Sequence, residues 1–228
     1  MGEKMETTRP YCCNELKKMD VMDSAGKKIG RIDEMTFVFD GELKLSHFIL
    51  AGPVWEEVLE TLRLRPDRDP VFDSSAITKV DKHIHLKTTA NLLSTTMDKD
   101  AISDDEIRFS ELEKLDIIDK DDVIVGRATD VDFDVDGCAS IIAGGGFIEE
   151  KLEAVGLKDD VDVIVPCDVI VSMDESIRIS VSRDDLETTL DGILEEKAKE
   201  IQEARAAAKQ RHDARRERVY AFWPYSSR

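Results

Sequence analysis

Cysteine is sparse in this chain of 228 residues: Cys12, Cys13, Cys138 and Cys167, with no C-x-x-C spacing. Adjacent Cys12 and Cys13 cannot easily bridge each other, and the pattern is that of reduced thiols in a cytosolic protein. Aromatic residues make up only 6%, which predicts compact units with Val, Ile and Leu cores. Long apolar runs are missing. The nearest, Ile141 to Ile148, contains three glycines and is far shorter than the roughly 20 residues a bilayer-spanning helix needs. The first residues, Met1 to Glu6, lack the apolar centre of a secretion signal. Positive charge is also short, with 32 Lys and Arg against 50 Asp and Glu, a net −18 and a pI near 4.6. Such a field repels nucleic-acid backbone and anionic membranes unless a local basic patch overrides it. Seventeen lysines remain, which argues against extreme adaptation to salt. No G-x-S-x-G, Walker or dinucleotide motif occurs. Carboxylate pairs are so common here that their proximity carries no information about acid–base catalysis. The expectation is a soluble, cytoplasmic chain that is not an enzyme and holds no cofactor or metal.

What is present is a duplication. Leu16 to Asp23 is answered by Leu112 to Asp119, an offset of 96 that also carries Gly30-Arg31 onto Gly126-Arg127, Phe37 onto Phe133 and Asp40-Gly41 onto Asp136-Gly137. Three residues then drop out. An offset of 93 takes Glu56–Glu60 onto Glu149–Glu153, and Ile77 and Ile84 onto Ile170 and Ile177. One gap across about 70 aligned positions marks a tandem of homologous small domains. Each is near the lower size limit for a self-sufficient core, so pairing between repeats or between chains is expected.

Each unit opens with a short extended piece and a turn. Apolar residues then alternate along Lys28 to Phe39 and along Val125 to Val135, the period of a strand. Asp40-Gly41 and Asp136-Gly137 are hairpin signals leading into return strands at Leu45–Leu50 and Ala139–Ala143. A helical period follows at Trp55, Val58, Leu59 and Leu62, and at Ile148, Leu152 and Val155. Short strands close each unit: Pro70–Phe72, Ile77–Val80 and Ile84–Lys87, echoed by Val163–Val165, Val169–Met173 and Ile177–Val181. Many short strands with tight turns predict a small barrel, which removes exposed edges by closure.

The pattern D-x-x-G-x-x-I-G-R-I-x-E/D-x-x-F-x-x-D-G, followed by W-x-E-x-L-x-x-L-x-L-x-P-D-x-D-P, resembles the PRC-barrel domain of archaea. Asp162 to Ile170, D-V-I-V-P-x-x-D-V-I, adds to it. The resemblance covers about 16–89 and 112–182. It implies a mainly β fold with short helices: two small PRC-type β-barrels in tandem plus a C-terminal α-helix. The expected organisation is an N-terminal tail (1–14), repeat 1 (15–89), a linker with a short helix (90–110), repeat 2 (111–182), a C-terminal helix (183–219) and an aromatic tail (220–228). PRC-barrels also occur in a photosynthetic reaction-centre subunit and in a ribosome maturation factor, and docking to protein assemblies is what they share. For the archaeal members the resemblance further implies an adaptor role in division by a tubulin-like ring. The implied partners are a SepF-like membrane anchor or another PRC-barrel protein, in a homo- or hetero-oligomer.

Several motifs have plain structural readings. From Asp132 the run D-x-D-x-D-G matches half of a calcium loop, but its twelfth position is Ala143, not the required bidentate Glu. Alternation of Asp with Val and Phe from Asp130 to Asp136 fits a strand with one solvated face. Ala143-Gly144-Gly145-Gly146-Phe147 lacks the G-K-[S/T] of a phosphate cradle and predicts a strand-to-helix turn. His83 and His85 fall on one side of a strand with no third ligand nameable by spacing, so surface histidines are expected.

The C-terminus differs in kind. Ser182 is placed to cap a helix starting near Arg183, with Asp184 and Asp185 in its first turn. Leu186, Leu190, Ile193, Leu194 and Ile201 form its apolar stripe. Farther on the charge reverses. Lys197, Lys199, Arg205, Lys209, Arg211, Arg215, Arg216 and Arg218 face only Glu200, Glu203, Asp213 and Glu217, a local +4. Tyr220, Phe222, Trp223 and Tyr225 follow. Read as function, Arg211, Arg215, Arg216, Arg218 and these four aromatics form a tethered partner-binding arm whose removal leaves the fold intact. Binding of this arm to RNA or the ribosome, or to a membrane surface, are the alternatives.

Overall fold

The computed structural model describes residues 9–51, 69–98, 101–133, 138–159, 161–207 and 217–220. The described chain is mainly β, arranged as two curled sheets with few helices. The helix expected around Trp55 to Leu62 lies outside the described residues. The chain divides into two compact units. Unit 1 comprises residues 1–112 together with 132–139, and unit 2 comprises 113–131 and 140–228.

In unit 1, β1 (Tyr11–Cys12) leads into the single-turn helix α1 (Cys13–Leu16). Then come β2 (Asp20–Met22), β3 (Lys28–Phe39), β4 (Leu43–Ala51), β5 (Pro70–Asp73), β6 (Ile77–Val80), β7 (His83–Leu86), β8 (Ser94–Thr95), β9 (Ile107–Arg108) and the helix α2 (Phe109–Leu112). The sheet order is β6-β7-β2-β3-β4-β5-β8, with β9 against β3. The core of unit 1 combines aliphatic side chains with buried Tyr11, Phe37, Phe109 and Phe133 and a stacked Phe48–Phe72 pair, ring centroids 5.1 Å apart.

The second sheet repeats the scheme. It contains β10 (Asp116–Ile118), β11 (Ile124–Phe133), β12 (Ala139–Gly144), β13 (Val161–Val165), β14 (Ile170–Met173), β15 (Ile177–Ile179) and β16 (Glu217–Tyr220). They run in the order β14-β15-β10-β11-β12-β13-β16, so the hydrogen-bonded order has ends at β14 and β16. Helix α3 (Gly146–Ala154) occupies the predicted place after the glycine turn. Helix α4 (Arg183–Ala207) follows β15.

The duplicated residues do duplicated work. Asp23 Oδ1 accepts from the amides of Ala25 and Lys27, both at 2.9 Å. Asp119 Oδ1 accepts from those of Asp121 and Val123, at 2.9 and 2.8 Å. Each carboxylate closes the turn between the first two strands of its repeat. Asp119 does more, because its Oδ2 accepts from the Arg183 amide at 2.8 Å and fixes the start of α4. The repeated Gly-Arg pair has a steric cause. A Cβ on Gly30 would lie 3.1 Å from the Ala51 carbonyl oxygen, and one on Gly126 would lie 2.9 Å from that of Gly144. Glycine allows the neighbouring strand to approach this closely.

Residues 11–16 and 107–112 also answer each other at the offset of 96. Within unit 1 these equivalents change places. β1 pairs antiparallel with the end of β11, Tyr11 opposite Phe133 and Cys12 opposite Asp132. β9 pairs antiparallel with β3, Ile107 opposite Phe37 and Arg108 opposite Thr36. Both pairings have the same register once the offset is applied. Each repeat's opening piece therefore completes the long strand of the other repeat. Phe37 and Phe133, fully buried, stack with centroids 6.3 Å apart. The stretches taken as tail (1–14) and linker (90–110) thus contain strands that pair.

This covering revises the reading of the aspartate ladder. Asp130 and Asp132 are 8% and 2% exposed, so the face expected to be solvated is covered. Asp130 Oδ1 accepts from the Val131 amide at 2.8 Å, as its equivalent Glu34 accepts from Met35 at 3.0 Å and from Ser110 at 3.3 Å. Asp134 and Asp136 lie outside the described residues.

Gly126→Ala forces a methyl against the Gly144 backbone, which cannot retreat without disturbing β12. The expected cost is about 1–3 kcal/mol, read as a lowered denaturation midpoint with unchanged slope. Gly192→Ala, whose added Cβ meets nothing within 4 Å on helix α4, should stabilise slightly instead.

Candidate functional site

Of the eight residues assigned to the partner-binding arm, Arg218 and Tyr220 lie in β16. Arg211, Arg215, Arg216, Phe222, Trp223 and Tyr225 lie outside the described residues. The helix expected over 183–219 is described over Arg183–Ala207. Its first half is fastened to unit 2. Ser182 Oγ accepts from the Asp185 amide at 3.1 Å, and the Asp185 carboxylate accepts from the Ser182 amide at 3.3 Å and its hydroxyl at 2.7 Å, a capping box with Asp at the third position. Leu186, Leu190 and Leu194 are fully buried. Lys151 of α3 reaches Glu187 at 2.5 Å and Asp191 at 2.9 Å, and the Arg183 guanidinium sits 4.4 Å from the Phe147 ring centroid.

The end of the expected helix (183–219) and the first residue of the expected aromatic tail (220–228) form a strand. Glu217–Tyr220 pairs in parallel with Val161–Ile164, and Val219 is 2% exposed. The physical reason is the alternation Arg-Val-Tyr, which buries Val219 between the half-buried Arg218 and the exposed Tyr220. It is too short to stand out beside a basic helical pattern. Tyr220, 36% exposed, lies where this strand ends the sheet order.

His83 and His85 are half-buried on β7, ring centroids 6.2 Å apart. Asp81 organises them: its Oδ1 accepts from the His83 amide at 3.0 Å and lies 3.2 Å from His85 Nε2, while Lys79 holds Oδ2 at 2.8 Å. The Lys79 hydrogen bond, then the His83 amide, keep the Asp81 carboxyl well below the usual carboxylate range. Among the described residues no three His, Cys, Asp or Glu side chains are grouped to hold a metal ion. The triple glycine turns strand into helix through Gly145 at φ 68° and Gly146 at φ 52°.

A second place was not anticipated from the sequence. In unit 1 the carboxylate of Glu106, 4% exposed, closes a hydrogen-bond circuit. The His47 amide donates to Thr36 Oγ1 at 3.1 Å, the Thr36 hydroxyl donates to Glu106 Oε2, and Glu106 Oε2 lies 3.0 Å from His47 Nδ1. Glu106 Oε1 accepts from the Ser103 amide at 3.1 Å. A carboxylate only accepts, so the circuit places the ring proton on Nδ1. Burial pushes the Glu106 carboxyl up, and the hydrogen bonds from Thr36, His47 and Ser103 outweigh it, leaving the group below its ordinary value. His47 also lines a cleft of about 250 Å³ with Phe72, Asp73, Thr88, Leu93 and Ser94 among its walls. The one available signal was a disagreement between repeats. The positions matching Thr36, His47 and Glu106 hold Asp132, Ser140 and Pro10, which cannot rebuild the circuit.

No protein-family model matches this chain, and no curated protein matches it. None of the described helices is long and apolar enough to cross a membrane.

Glu106→Ala leaves the Thr36 hydroxyl and the Ser103 amide without their acceptor and should destabilise unit 1 by about 2–3 kcal/mol. Because the folded-state value of Glu106 is depressed, its contribution is present above the ordinary value near 4.5 and is lost as pH falls through the folded value. Denaturation midpoints should therefore fall with acid in the parent chain, and less steeply in the variant. Truncation after Ala207 removes the Val219 side chain, whose burial is worth about 1.5–3 kcal/mol. The melting temperature should drop by roughly 3–10 °C; an unchanged melt means that β16 contributes nothing to the fold.

Proposed function

We propose that the chain is a non-enzymatic adaptor of tandem PRC-type barrels that docks onto a protein assembly through its C-terminal edge. The observation that carries this reading is the position of β16. It ends the sheet order of unit 2 and leads, two residues after the exposed Tyr220, into Phe222-Trp223-Pro224-Tyr225. Aromatic side chains that follow this strand in sequence supply anchors at low entropic cost. The pinned strand removes part of the ordering cost that a free tail pays on binding. Arg218 lies in β16, and Arg211, Arg215 and Arg216 precede it in sequence, so this stretch of chain has a sign opposite to the rest, which favours an acidic partner surface.

The assembly proposed is the archaeal division machinery, with a SepF-like anchor or a second PRC-barrel protein as the docked partner in a homo- or hetero-oligomer. That assignment rests on the resemblance of the repeats, as does the closed-barrel form of each.

Purified full-length chain should capture a SepF-like anchor or the tubulin-like ring protein. Trp223→Ala should weaken the capture by about 1–3 kcal/mol, and Tyr220→Ala in the same direction, with melting unchanged for Trp223→Ala. Equal capture by both variants contradicts the edge as the docking element. Binding to RNA or to anionic vesicles in place of the proteins overturns the adaptor reading itself.

A further inference from the structure

The cleft beside His47 belongs to unit 1 and is independent of the C-terminal edge. Its volume of about 250 Å³ falls just below the roughly 300–1,000 Å³ of drug-sized sites, so its scale is that of a single-ring molecule. The wall is more polar than apolar: Val71, Phe72, Leu92 and Leu93 supply its apolar part, and its charge is one-sided. Asp73 brings a carboxylate, Thr88 and Ser94 bring hydroxyls, and among the described lining residues none is Lys or Arg.

His47 sets the remaining character. Its Nδ1 is committed to Glu106 at 3.0 Å and to Ser46 Oγ at 2.9 Å. These two contacts fix the orientation of the ring. With the proton on Nδ1, Nε2 is the ring's hydrogen-bond acceptor. Glu106 behind the ring and Asp73 at the wall make the local charge negative, within a chain of net −18. A site with acceptors, carboxylates and an apolar wall selects a donor-bearing cation and disfavours an anion. The arrangement of an oriented imidazole backed by a buried carboxylate is costly to maintain for packing alone, and repeat 2 lacks it.

We propose that this cleft is a binding site for a small primary amine carried on an apolar ring or short apolar stem. The ammonium group donates to His47 Nε2 and is balanced by Asp73, while the apolar part lies against Phe72 and Leu93. Glu106 and Thr36 are positioning residues that hold the imidazole in the accepting tautomer.

Benzylamine titrated into the full chain by calorimetry and by ligand-observed NMR is the probe, with benzoate and benzyl alcohol alongside. Saturable one-to-one binding of benzylamine is expected, with benzoate at least tenfold weaker. His47→Ala should weaken benzylamine at least tenfold. Because that variant also opens the hydrogen-bond circuit, Ala76→Leu serves as a second test. Ala76 lines the cleft but takes no part in the circuit, so its enlargement should block the probe while circular dichroism and melting stay near those of the parent. Benzoate binding as tightly as benzylamine, absence of saturation by benzylamine, or unchanged binding in a folded Ala76→Leu chain each overturns the proposal.

Discussion

A strand of two residues cannot hold itself, so Tyr11–Cys12 and Ile107–Arg108 form only where a longer strand receives them. In unit 1 the receiving positions are Asp132–Phe133 and Thr36–Phe37. Each pairing joins the opening piece of one repeat to the long strand of the other, in a register that matches under the offset of 96. A slip of one residue would turn the side chains of Tyr11 and Ile107 to the opposite face, which makes the register specific. Asp132 and Thr36, the residues opposite Cys12 and Arg108, are buried. The circuit of Glu106 depends on the second pairing: Glu106 lies one residue before β9 and reaches Thr36 and His47 because β9 is seated on β3.

The duplication explains why the two repeats share their turns and glycines and why they differ at their sites. Asp23 and Asp119, and Gly30 and Gly126, answer demands of backbone geometry that any copy of this unit meets. Thr36, His47 and Glu106 are not demanded by the backbone, and the matching positions have gone to Asp132, Ser140 and Pro10. The second repeat has diverged elsewhere. Its Asp119 takes on the Arg183 amide, its Lys151 bridges Glu187 and Asp191, and its sheet accepts β16. One copy is elaborated around a cleft and the other around the C-terminal helix and strand.

Legibility in the sequence followed the range of the interaction. The strands at 28–39 and 124–133, the glycine turn before α3 and the Ser182 cap are local, and periodicity, hairpin signals and capping chemistry find them. Pairing of residues 11–12 with 132–133 is not local, and two residues carry no period. The aspartates at 130 and 132 alternate with apolar neighbours as a half-solvated strand would, and nothing nearby in sequence announces their burial. β16 hides behind a run of Lys, Arg and Ala whose helical character is real up to Ala207. The Glu106 circuit joins three segments, 36, 47 and 106, that only the tertiary fold brings within 3.1 Å.

Cross-strand backbone proton contacts by NMR on the full-length chain test the exchange most directly. Contacts between Tyr11 and Phe133, and between Ile107 and Phe37, are expected together in one spectrum and should be insensitive to dilution. Contacts that instead join Tyr11–Cys12 to Thr36–Phe37, and Ile107–Arg108 to Asp132–Phe133, would mean that each repeat completes its own long strand, and would contradict the exchange.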